Sequence, residues 1–218
     1  GGTTGTLGTG TLTNNASLVF DRSSNATITT PLIGTGSVTQ QGAGSVITLS
    51  GASTYSGGTF ITDGTILANN NSAFGSGSVT VSSGATLQIQ NGIDIGNTLS
   101  ITGVGVSSAG ALQAIGSGTG TASGVITLAG NSTFGNASGN ISFGTIVGTA
   151  GLIINSAGAA TLGSVNTGAL TVTAPSGITS SSTSLTTIGD MRFNNTITMP
   201  NSASFTTTGG GSMWFNTI

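Results

Sequence analysis

Along this chain apolar side chains recur two positions apart, in short runs separated by polar residues and turn formers. Leu18/Phe20, Ile47/Leu49, Val79/Val81, Leu87/Ile89, Leu99/Ile101, Ile126/Leu128, Ile141/Phe143, Leu170/Val172 and Ile197/Met199 all keep this spacing. A period of two places alternate side chains on one face of an extended backbone, so each run predicts a short strand with one buried face. Gly57-Gly58, Asn69-Asn70-Asn71 and Asn91-Gly92 punctuate the runs, and these residue types tolerate the positive φ of tight turns. No segment has apolar residues at the helical spacings of three and four. The chain reads as all-β.

Internal similarity predicts how the strands are arranged. Val46-Ile47-Thr48-Leu49-Ser50-Gly51 returns as Val125-Ile126-Thr127-Leu128-Ala129-Gly130, displaced by 79. Met191-Arg192-Phe193-Asn194-Asn195-Thr196-Ile197 returns as Met213-Trp214-Phe215-Asn216-Thr217-Ile218, displaced by 22 with one Asn dropped. A return of 22 suits one coil of a parallel β-helix, and 79 is close to four coils. Such periodicity is the mark of a solenoid. The expectation is one continuous β-helix over 1–218 with roughly 20–22 residues per coil and about ten or eleven coils. At about 4.8 Å per coil the rod is about 50 Å long. A β-sandwich does not account for the return of 22.

Composition narrows the function classes. Thr (40), Gly (39), Ser (31) and Asn (17) fill well over half of the 218 positions. Two Arg and four Asp are the only charged residues, and Lys, Glu, His and Cys are absent. Without Cys or His there is no structural zinc site and no serine–histidine or cysteine nucleophile. Two cations are too few to neutralise a nucleic-acid backbone. Disordered chains combine low hydropathy with high net charge. Here mean hydropathy is +0.34 and net charge −2, so the chain folds. Apolar runs stop at about four residues, too short for a membrane span, and any export signal lies outside this segment.

The remaining chemistry is sparse. A glycosidase or lyase needs a working pair of carboxylates, and the candidates are Asp21, Asp63, Asp94 and Asp190. Each sits in a turn-like context, as in Asp63-Gly64, which favours turn or surface roles. Arg192 and Trp214 share a repeat position, so a 22-residue coil stacks guanidinium on indole. Alternatively, Arg192 binds an acidic sugar. Trp214 falls between Met213 and Phe215 and points outward if those two point inward. Trp214, Phe215 and Arg192 are therefore the candidate interface, unless a further coil packs over them. Irregular intervals between Thr-x-Thr pairs argue against an ice-binding array, and the Asn-x-Ser/Thr sequons are as frequent as composition predicts. No cofactor is expected.

Residues 18–103 resemble the repeat of autotransporter passenger domains. The resemblance lies in Leu18-Val19-Phe20-Asp21-Arg22-Ser23, Gly34-Thr35-Gly36-Ser37-Val38-Thr39 and Ser45-Val46-Ile47-Thr48-Leu49-Ser50-Gly51-Ala52-Ser53-Thr54-Tyr55-Ser56-Gly57-Gly58-Thr59. It continues through Gly64-Thr65-Ile66-Leu67. The family's usual Lys falls where Gln40-Gln41 stands, and residues 189–218 form compositionally distinct end coils. The resemblance implies a right-handed parallel β-helix, exported by type V secretion as part of a longer polypeptide. It also implies a non-enzymatic extracellular or cell-surface role as an adhesin or stalk, with a surface or glycan ligand as partner. The near-neutral surface leaves a second expectation, end-to-end or lateral self-assembly into a filament or sheath. A carbohydrate-active β-helix enzyme is the third. None of these inserts this segment into a membrane.

Overall fold

The computed structural model describes residues 7–8, 10–201 and 203–216, so Gly1-Gly2-Thr3-Thr4 and Thr217-Ile218 lie outside it. Among the described residues every regular element is a strand except one 3-10 turn, Val106–Ser108. All strand pairings are parallel, and each strand pairs with strands about one coil before and after it. The result is a parallel β-solenoid of about ten coils, as the spacing predicts.

Each coil visits three faces in turn. The first face runs from Ser17–Phe20 through Ser37–Gln40, Thr59–Ile61, Val79–Val81 and onward to Ser204–Thr207. The second starts at Ala26–Ile28 and ends at Met213–Phe215. The third begins with the pair Leu12–Thr13 and Leu32–Ile33, and resumes as a five-stranded sheet from Thr119–Ala122 to Ile197–Thr198. Between them it is irregular, although backbone bonds such as Ser76 N–H to the Tyr55 carbonyl still tie coil to coil. The first and second faces merge into one sheet, because the long strand Ile126–Asn136 serves both.

The apolar pairs read from the sequence all point into the stack. Seven of the nine are buried at both positions, from Ile47/Leu49 to Leu170/Val172. Leu18 and Ile197/Met199, near the two ends, pack against the core while partly exposed. The core is a column of Ile, Leu, Val, Phe and Ala in which each coil is covered by the next. Burial of each such large side chain contributes about 1.5–3 kcal/mol.

The two repeats fare differently. Met191, Arg192 and Phe193 pair directly with Met213, Trp214 and Phe215, so the displacement of 22 is one coil. The displacement of 79 is not a whole number of coils. Ile47 belongs to the second face, whereas Ile126 pairs with Leu99 and Ile146 on the first. Following the second face four coils on from Ile47 leads through Ile66, Leu87 and Leu112 to Phe134. The cause is a widened coil. Leu99 pairs with Ile126, a step of 27, where neighbouring first-face steps are 20.

Candidate functional site

The corner between the first and second faces varies in length along the rod, and an open groove lies beside its longest stretch. The corner is the eight-residue excursion 104–111 in the fifth coil and shrinks to Gly168 alone in the eighth. Gly168 has no room for a side chain, since a Cβ there would meet the Thr149 carbonyl oxygen of the preceding coil. The corner is thus eight residues at 104–111, three at 148–150, one at 168 and three again at 188–190.

The excursion is anchored on both sides. The Thr86 hydroxyl accepts a hydrogen bond from the Val106 N–H (2.8 Å) and donates to the Gly110 carbonyl (3.1 Å). Gln113 Nε2 donates to the same carbonyl at 3.0 Å. Ser107 and Ser108 are the only described non-glycine residues with positive φ, at 53° and 59°. Non-glycine residues adopt this region at a cost, and local hydrogen bonding of the loop sustains it.

Beside the excursion lies an open groove of about 650 Å³. Val104 borders it in the fifth coil and Ile188 in the ninth, while Gly151, Gly168, Ala169 and Gly189 lie along its floor. Its second-face wall is the outward column Thr133, Ile153 and Thr171, direct partners in successive strands. Val104, Ile153 and Ile188 are exposed aliphatics on a surface otherwise rich in hydroxyls and amides. No lining residue is titratable.

The same outward column continues to Arg192 and then Trp214. The Arg192 guanidinium lies 4.5 Å from the Trp214 ring centroid, the stacking expected from the repeat. Trp214 is exposed, and so are Met213 and Phe215, although these two continue the inward columns of Met191 and Phe193. Phe215 stacks on Phe193 with centroids 5.6 Å apart, and Phe205 meets both rings edge-on. A recess of about 500 Å³ opens beside Phe205 and Phe215, and one of about 320 Å³ beside Leu18 and Phe20 at the other end. Of the three interface candidates, Arg192 and Trp214 share one outward column, while Phe215 faces the core line at the last described coil.

The acids are dispersed along the rod. Asp94 Oδ1 accepts the Ser123 N–H, Asp190 Oδ1 accepts the Ser212 N–H, and Asp63 Oδ1 accepts the N–H of Gly64. These are turn and coil-to-coil roles, and no three acids come together among the described residues. One further group is buried. The Tyr55 hydroxyl bonds to Thr59 inside the core, and burial pushes its pKa up to about 12, against the smaller lowering effect of that bond.

Sequence reasoning found the Arg192–Trp214 stack but missed the groove. Its walls come from corners of unequal length, and the available signal was the stretched interval between the apolar pairs Leu99/Ile101 and Ile126/Leu128. Comparison with protein-family models, characterised proteins and solved structures finds no match to this chain.

Proposed function

We propose that this chain is a non-enzymatic structural or adhesive segment of an extracellular surface protein, serving as a stiff β-solenoid stalk. The observation that carries this reading is the unbroken parallel stacking of ten coils around one apolar column, with hydroxyl and amide side chains covering most of the outside. Such a stack holds what it presents at a fixed distance, with few charges to attract proteins or nucleic acid. The resemblance of residues 18–103 to a passenger repeat supports the surface location, and the coils of that region are regular, with first-face steps of 20 or 21.

The test is antibody labelling of intact and permeabilised source cells, followed by attachment of beads coated with the protein. Labelling of intact cells and attachment to a cell surface or a glycan array are the expected results. Label confined to permeabilised cells overturns the location. Turnover of a polysaccharide that disappears in Asp94→Asn overturns the non-enzymatic role.

A second reading is assembly through the rod ends into a filament. The apolar recesses at the two ends favour it, since a heterologous end-to-end contact that does not close generates a fibre. A further coil of a longer polypeptide fits the same surface. Electron microscopy of the native full-length protein separates the two: long filaments support assembly, and isolated rods at high concentration exclude it.

A further inference from the structure

The groove beside the 104–111 excursion is lined by Thr171, and the next residue along that outward column is Arg192. We propose that this surface binds a single-chain anionic amphiphile, a long-chain fatty acid, with the alkyl chain in the groove and the carboxylate on Arg192. This does not rest on the stalk reading, because it concerns chemistry along one corner of the solenoid.

The groove runs parallel to the rod axis from Val104 in the fifth coil to Ile188 in the ninth. Four coil steps at about 4.8 Å make about 19 Å. The shape suits a linear chain, and the volume lies in the range of small-molecule sites. Val104, Ile153 and Ile188 offer branched aliphatic contacts, and the glycine floor lets a chain approach the backbone closely. Val104, the first residue of the anchored excursion, borders the fifth-coil end. The polar atoms of Asn131 and Ser132 are partly spent within the protein, since Asn131 Oδ1 accepts the Gly151 N–H and the Ser132 hydroxyl donates to the Gly130 carbonyl. A polysaccharide finds no aromatic platform among the lining residues.

The open end carries the charge. Arg192 is the direct strand partner of Thr171, which lines the groove. Its guanidinium carbon lies over the Trp214 ring, 4.5 Å from the centroid, a contact with an aromatic face that uses none of the donors of its N–H fork. Arg192 makes no hydrogen bond to a described residue, so that fork is open to a carboxylate, which it matches in geometry. The nearest acid in sequence, Asp190, is turned to the Ser212 N–H of the next coil. A polyanion requires several cations, and this corner supplies one.

The test is calorimetric titration of the protein with decanoate below its micelle concentration, followed in parallel by emission of Trp214, the single tryptophan. Decanol and acetate are the comparison ligands. Saturable binding of decanoate, binding of decanol weaker by about tenfold, and no binding of acetate are expected. Ile153→Asp and Ile188→Asp replace exposed side chains within reach of a ten-carbon chain anchored at Arg192, and each weakens decanoate by at least about tenfold. Arg192→Gln brings decanoate down to the level of decanol and leaves decanol unchanged. Absence of saturable heat overturns the proposal, as does wild-type binding by both aspartate variants. An Arg192→Gln protein that still prefers decanoate to decanol overturns the assignment of the carboxylate.

Discussion

Met191-Arg192-Phe193 and Met213-Trp214-Phe215 are nearly the same tripeptide in the same place on adjacent coils, yet their environments differ. Met191 and Phe193 are 0% exposed, whereas Met213 and Phe215 are 38% and 43% exposed. Alternation and register are identical in the two. What differs is the neighbour, since the first tripeptide lies between two coils and the second is covered on one side only among the described residues. In a solenoid, burial is a property of the stack, and a residue's energetic weight follows its position along the rod.

The strongest test of that difference is to truncate the paired phenylalanines. Phe193→Ala removes a fully buried ring that contacts both Phe205 and Phe215, and large-to-small changes of this kind cost about 3–5 kcal/mol. Phe215→Ala removes a ring already partly in water, for about 1 kcal/mol. Denaturant melts of the two variants of this 218-residue chain check the ratio. Equal losses would mean that Phe215 is covered as Phe193 is, by another copy of the chain.

The interior can also be probed without cutting it. Tyr55 is buried within the stack, and its hydroxyl titrates near 12 in the folded protein against an ordinary value of 10.0. Between these values the unfolded chain has lost the proton and the folded chain keeps it. Stability is therefore full below pH 10 and falls as pH rises toward 12. Two pKa units correspond to about 2–3 kcal/mol. Urea melts from pH 9 to 12 are expected to show this decline in the wild type and to lose that part of it in Tyr55→Phe. An identical decline in both proteins would remove Tyr55 from the account.

The sequence was most informative where structure depends on local alternation. Pairs such as Leu87/Ile89 and Leu170/Val172 announce both strand and inward face, because a strand sets side-chain direction within two residues. The pair at 22 residues gave the coil directly, since Met191 and Met213 are direct strand partners on adjacent coils. The Val-Ile-Thr-Leu boxes at 46 and 125 were misleading for the same physical reason that makes strands readable. Alternation fixes inside from outside but does not say which of three faces a strand occupies, and the 104–111 excursion shifts all later residues along the coil. The groove was illegible because it is a difference between corners. Val104, Ile188 and Gly168 are unremarkable in sequence and become a surface only when coils of unequal corner length are stacked.

The smallest expected effect concerns the outward position of the same two strands. Arg192 stacked on an exposed Trp214 contributes about 0.5–1 kcal/mol as a cation–π pair, well below what the inward neighbour Phe193 supplies. Single substitutions confound this, because Arg192→Gln also removes alkyl packing and Trp214→Leu also changes strand propensity. A double-mutant cycle over Arg192→Gln and Trp214→Leu isolates the coupling. A value of about half a kcal/mol or more, little changed by added salt, is expected, since the contact is short and not an ion pair between mobile surface charges. Zero coupling would mean that the guanidinium does not rest on the ring in solution. Its N–H fork would then lack the fixed orientation that the carboxylate site requires, so this small number bears on the ligand proposal more than on the stability of the rod.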